Sequence, residues 1–195
     1  QAFLDAENAK NEGYYFIHPF DGPLTLQGSA TLGLEIVEYL KSINTKIDNL
    51  LISVGGGGLI SGVSSYVKQF YPKIQIIGVE PENANGLNQS LRANKPLNNV
   101  NVNSIADSLS APLHMQYSFD VAKEVIDEMV TVSDDEMKKF MVFCYKKFKL
   151  FLEPACVAGL AALKYKINNK LIGKNTMVIL CGSNIDKKTW SDLTN

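Results

Sequence analysis

The chain has 195 residues, 46% of them hydrophobic, which is enough to bury one substantial core and to fill one domain or one and a fraction. Its 19 basic and 20 acidic residues are spread along the sequence and leave a net charge of -1, so no field attracts nucleic acid or an anionic membrane; small neutral or zwitterionic ligands are the better match. No apolar run approaches the roughly 20 residues of a membrane span, no signal-peptide pattern opens the chain, and Cys144, Cys156 and Cys181 lack the number and spacing of a disulfide framework or a zinc site, so a cytoplasmic location is expected.

The chain begins at Gln1, without methionine, in a segment that already has helical spacing over Ala2 to Lys10, and a piece of a longer polypeptide is expected. After Asn11-Glu-Gly13, the aromatic and branched run Tyr14 to His18 predicts a buried strand. A Pro- and Gly-containing turn follows, then a helix from about Gln27 to Leu40 with apolar positions Leu32, Leu34, Ile36, Val37 and Leu40. Leu50 to Val54 reads as a strand, Ile60 to Phe70 as a helix, and Lys73 to Val79 as a further strand closed by Glu80-Pro81. Residues 83–112 turn rich in Asn, Ser and Pro, which predicts a short helix near Gly86 to Arg92 and then a long connection of the kind that packs on a site. Beyond it come a helix from Asp120 to Glu128 and a short strand from Met129 to Val132. Ser133 and Glu136 have the spacing of a capping box, which starts a helix running to about Phe148. Glu153-Pro154 opens a helix over Ala155 to Tyr165, and Thr176 to Leu180 is the last strand. Strands alternating with helices predict an α/β fold with a mostly parallel, twisted sheet covered by helices on both faces.

The stretch SVGGGGLISG places four consecutive glycines between a buried strand and a helix, where bare N–H groups and the helix dipole favour an anion such as phosphate. Close helix–strand packing is the simpler alternative, but it asks for one glycine rather than four adjacent ones. The spacing is not that of the nucleotide hydrolases, and no acidic residue fits a dinucleotide ribose cleanly, although Glu80 comes near. A second small-residue loop, Cys181-Gly-Ser-Asn184, follows the last strand, and ligands of open α/β sheets bind at such carboxyl ends. The Cys181 thiol is able to bond a pyridine nitrogen without a full negative charge beside it; taken alone it also reads as a small buried hydrophobe.

SVGGGGLISG, GVEPENA, IADSLSAP, VTVSDDEM, FLEPACVAGLAAL and VILCGSNID occur in the order found in fold-type II pyridoxal-phosphate enzymes, and the chain most resembles the threonine dehydratase and serine racemase group. The resemblance covers essentially the whole chain. It implies the tryptophan synthase β-like fold, with residues 1–195 forming the incomplete, cofactor-binding large domain of a two-domain enzyme. It further implies that Gly55, Gly56, Gly57, Gly58 and Leu59 bind the phosphate of pyridoxal 5'-phosphate, that Cys181 with Gly182 meets the ring nitrogen, and that Glu153 lies near the ring. Glu153 also reads as an N-terminal helix acid. Ser108 stands where glycine is common in the group.

Two departures matter. Racemase-like members bind a divalent cation through the Glu of EPxNA, a backbone carbonyl and an Asp two positions beyond the Ala; here Glu80 and Ala84 are present but Gly86 replaces that Asp, so no metal is expected. The group also holds its cofactor on a lysine in a Ser-x-Lys-x-Arg motif, and no lysine here has that context. His18 and His114 read as structural rather than as catalytic bases. The resemblance therefore implies a portion of a lyase that eliminates the β-hydroxyl of L-threonine or L-serine to give a 2-oxo acid and ammonia, with no catalytic residue in this chain and no turnover by the chain alone. Its expected partners are a small amino-acid substrate, the N-terminal portion of the same enzyme, and further copies in a homodimer or homotetramer. An amino-acid racemase is the alternative within the cofactor class; a nucleotide-binding oxidoreductase and a non-catalytic remnant are the alternatives outside it.

Overall fold

Leu50, Leu51 and Ile52, flanked by Asn49 and Ser53, form a strand buried on both sides, which is what a central parallel strand requires. The structure is a computed structural model that describes residues 2–194. In chain order its elements are α1 (Ala2–Asn11), α2 (Pro23–Ser42), β1 (Asn49–Ser53), α3 (Gly58–Phe70), β2 (Gln75–Pro81), α4 (Gly86–Ala93), α5 (Gln116–Val125), β3 (Glu128–Val132), α6 (Asp134–Phe148), α7 (Pro154–Tyr165), α8 (Asn168–Leu171), β4 (Thr176–Val178) and α9 (Lys187–Thr194), with single 3-10 turns at Glu82–Ala84 and Asp107–Leu109.

All strand pairings are parallel, in the order β3-β2-β1-β4. Side chains alternate along the two central strands. Leu50 and Ile52 of β1 with Ile76 of β2 pack against Val37 and Leu40 of α2, Val63 and Val67 of α3, and Phe119 and Ala122 of α5. Leu51 and Ile77 face the other layer, where Ile167 covers them, and Val79 joins Met137 and Met141 of α6 and the small-residue surface of α7. Gly159 of α7 owes its identity to this contact, because a Cβ there would lie 2.7 Å from Val178. The same holds for Gly33 of α2, where a Cβ would lie 2.7 Å from the Val63 carbonyl oxygen of α3.

The expected strand at Tyr14–His18 does not form. This segment is irregular and makes no ladder bonds, and Tyr14, Tyr15 and Ile17 are 69%, 79% and 73% exposed. Aromatic and branched residues report a surface suited to burial, but a strand also needs a neighbouring backbone, and no described segment offers one. Helix α2 starts at Pro23, four residues before the expected Gln27, because proline at the first helical position is preorganised for it. Leu34, assigned to its apolar face, is exposed. Helix α5 begins at Gln116 and ends at Val125, earlier than expected, and β4 stops at Val178, although Ile179 N still donates to Leu51 O.

Candidate active site

The sheet order places the switch of direction between β1 and β4: after β1 the chain moves outward through β2 and β3, then returns to add β4 on β1's other edge. A crevice forms at the carboxyl ends of two strands that diverge in this way. Here those ends carry the glycine loop and the loop containing Cys181.

A cavity of about 300 Å³ lies there, lined by residues 53–60 together with Pro19, Phe20, Ser108, Leu109, Ala155 and Cys181. Each glycine has its own reason. A Cβ on Gly56 would fall 2.2 Å from the Phe20 ring, and one on Gly58 2.7 Å from the Phe20 carbonyl oxygen. A Cβ on Gly55 would press at 3.0 Å on the backbone of Ser108 and Leu109. Gly57 has φ +92 and is the residue before the first turn of α3, a left-handed position that glycine adopts without penalty.

Packing therefore accounts for the missing side chains, yet it leaves donors over. Among the described residues the N–H groups of Gly55, Gly56, Gly57, Gly58 and Leu59 donate to no protein acceptor, while Ser61 N already bonds Gly57 O. Ser53 adds a buried hydroxyl with no partner. Unpaired donors at the N-terminus of a 13-residue helix fit a phosphate group.

Cys181 lines the same cavity and is exposed, whereas Cys144 and Cys156 are buried. Local burial and the nearby Glu153 carboxylate push its thiol up, which keeps it a neutral donor at neutral pH. Glu153 and Gly182 do not line this cavity. Glu153 lines an adjoining one of about 230 Å³ that shares Ser108, and its Oε1 accepts from Ser108 Oγ at 3.0 Å. A Cβ on Gly182 would be 3.3 Å from that same oxygen, so the absent side chain lets the carboxylate rest against the turn that carries Cys181. No lysine lines the glycine-loop cavity.

The residues that resemble a cation site do not fit one. Glu80 is 1% exposed, and its two oxygens accept from Leu87 N at 2.8 Å and Asn88 N at 2.9 Å, capping α4. Burial raises its carboxyl to about 8, a shift that the two N–H bonds only partly offset. At Gly86 a Cβ would lie 2.5 Å from Cε1 of His114, so the ring occupies the space an aspartate side chain would need. A hard cation needs several oxygen ligands, and both Glu80 oxygens are already engaged by backbone N–H groups.

Phe20, Ser53 and His114 were not among the site residues expected from the sequence. The Phe20 ring is fixed on the loop only by the tertiary contact, and Ser53 reads simply as the end of a strand.

A sequence profile of the family described as "Pyridoxal-phosphate dependent enzyme" matches residues 2–182. The chain belongs to the pyridoxal-phosphate dependent enzymes. Among curated members of the family, it is 42% identical over 180 residues to the phenylserine dehydratase of Ralstonia pickettii, covering 92% of this chain and 54% of that protein. It is 32% identical over 190 residues to the catabolic L-threonine dehydratase of Escherichia coli K12, covering 97% and 56% respectively. The chain thus spans about half the length of the curated relatives it matches. Among solved structures, the processed form of threonine deaminase isoform 2 from Solanum lycopersicum superposes with a TM-score of 0.88 at 34% identity, covering 96% of this chain and 54% of that one. Maize serine racemase superposes with a TM-score of 0.85 at 29% identity, covering 98% and 58%. This pyridoxal-phosphate family membership rules against the nucleotide-binding oxidoreductase considered from the glycine loop alone.

Proposed function

We propose that residues 1–195 are the cofactor-binding large domain of a pyridoxal-phosphate-dependent ammonia-lyase that dehydrates a β-hydroxy amino acid, L-threonine or L-serine, to a 2-oxo acid and ammonia. The observation that carries this reading is that the residues with unpaired amides, Gly55 to Leu59, line one cavity together with the neutral thiol of Cys181. Dehydratase and deaminase names among the relatives support the reaction class.

In this reading Gly55–Gly58 and Leu59 hold the cofactor phosphate by N–H donation, and the dipole of α3 adds to the attraction. The Ser53 hydroxyl is a further donor at the floor. Cys181, uncharged, donates to or accepts from the ring nitrogen, while Gly182 keeps the turn slim enough for Glu153 to lie beside it. When bound, pyridoxal phosphate supplies an electron sink that acidifies the substrate's α-hydrogen. The Phe20 ring packs over Gly56 and the Leu109 backbone over Gly55. The lysine that anchors the cofactor and moves the proton belongs, in this proposal, to the N-terminal portion of the same enzyme, in keeping with a cavity that contains no lysine. The assembly proposed is a homodimer or homotetramer, which sedimentation equilibrium of the complete polypeptide would test.

The experiment for the reaction is borohydride reduction of the protein from its native source, followed by peptide mass mapping and an assay of 2-oxo acid release from L-threonine and L-serine. A pyridoxyl adduct on a lysine outside residues 1–195, with 2-oxo acid formed, is the expected result. An adduct with interconversion of L- and D-serine but no 2-oxo acid would point to a racemase, and no adduct on any lysine would overturn the cofactor reading.

A further inference from the structure

His114 is 2% exposed and lies behind the glycine loop, outside the cavity lining. Its Nε2 faces the carbonyl oxygen of Gly55 at 3.3 Å, and its own backbone N–H is tied to Leu97 O at 2.8 Å. A carbonyl can only accept, so the ring proton sits on Nε2; Nδ1 is then the lone-pair nitrogen, and it has no partner. On its other side the ring is gripped by the start of α4, where only glycine at position 86 leaves room for Cε1.

We propose that His114 is a positioning residue: a strut wedged between the first turn of α4 and the glycine loop that fixes the Gly55 carbonyl and so aims the loop's donors for phosphate. The peptide joining Gly55 to Gly56 is planar and trans, so holding the carbonyl toward His114 directs the Gly56 N–H away from it. A peptide flanked by two glycines rotates at little steric cost, and it needs an outside clamp to keep one orientation. Burial favours the neutral imidazole, the form with a single donor aimed at Gly55. The strut's ring fills the space beside Gly86, the position at which the resemblance gives racemase-like enzymes an aspartate, so in this chain an imidazole holds the region together instead. The functional consequence rests on the cofactor reading above; the geometry does not.

The test uses the complete polypeptide that contains residues 1–195, with inorganic phosphate and pyridoxal phosphate as probes. In the parent, ¹⁵N NMR of the imidazole should place the proton on Nε2, and the Gly56 N–H order parameter should be that of rigid backbone, about 0.85. In His114→Leu the Gly56 value should fall below about 0.6 and phosphate should bind roughly tenfold more weakly, as loss of one buried hydrogen bond predicts. His114→Gln, which can place a donor near the Nε2 position, should restore both to within about threefold. A proton on Nδ1, a rigid Gly56 with parental phosphate affinity in His114→Leu, or a Gln variant as impaired as Leu would overturn the strut. Should the Leu variant not fold, the parental tautomer and the Gln variant decide. A parent that retains neither probe overturns the cofactor reading, and the Gly56 order parameter then judges the strut separately.

Discussion

Cys181 is the accessible thiol, and its neighbours set its chemistry. Glu153 acts on it from across the Gly182 turn, held there by the Ser108 hydroxyl. Removing that negative charge stabilises the thiolate, so Glu153→Gln should lower the thiol's titration point and speed alkylation by iodoacetamide at pH 8 by roughly two- to fivefold; Ser108→Gly should move it the same way by less. Cys144 and Cys156 are buried and will not contribute to the signal. The glycine loop makes a second residue-scale case. Gly56→Ala drives a methyl group into the Phe20 ring and should cost about 1–3 kcal/mol in urea unfolding. In a Phe20→Ala background the same substitution should cost much less, because the clash is gone; an equal cost in both backgrounds would show that the loop, not the ring, imposes the glycine.

At the scale of elements, α6 begins with a complete capping box: Glu136 N donates to Ser133 Oγ at 3.2 Å, and Ser133 N donates to Glu136 Oε2 at 2.8 Å. Ser133→Ala should destabilise the protein by about 1 kcal/mol, read as a lower urea midpoint at unchanged slope. The motif was legible because its reward is local. Helix α9, not among the expected elements, carried a comparable local signal in the last residue of VILCGSNID: Asp186 caps it by accepting from Lys188 N and Thr189 N. Its docking was less legible, since Trp190 stacks on Phe151 with ring centroids 5.1 Å apart, 39 residues away in sequence. The false strand at Tyr14–His18 shows the opposite error, composition without a partner.

For the whole molecule, Glu80 links the end of β2 to the start of α4 and makes stability depend on pH. Its carboxyl is raised from 4.5 to about 8, so the folded state holds a proton that the unfolded state has released across that interval. Stability should therefore be greatest below about pH 4.5 as far as this group is concerned, and decline by a few kcal/mol at most as pH rises to about 8. Glu80→Gln, which cannot ionise, should flatten that slope; an unchanged slope between about pH 5 and 8 would show that Glu80 is already ionised when folded.

The alternation of helix and strand, the parallel sheet, the capping box and the family were all legible from residue order, because each is written in local spacing or in motif order. Residue order also marked the four glycines, Cys181, Glu153 and the absence of a suitably placed lysine. Which of these meet follows from the folded chain. The pairing of β1 with β4, between residues 127 positions apart, sets Cys181 opposite the glycine loop. A contact over 59 positions places His114 on Gly55, and another over 45 joins Ser108 to Glu153. Such contacts carry no periodic signal, since the chain between their ends is free to vary once the core has fixed where each end lies.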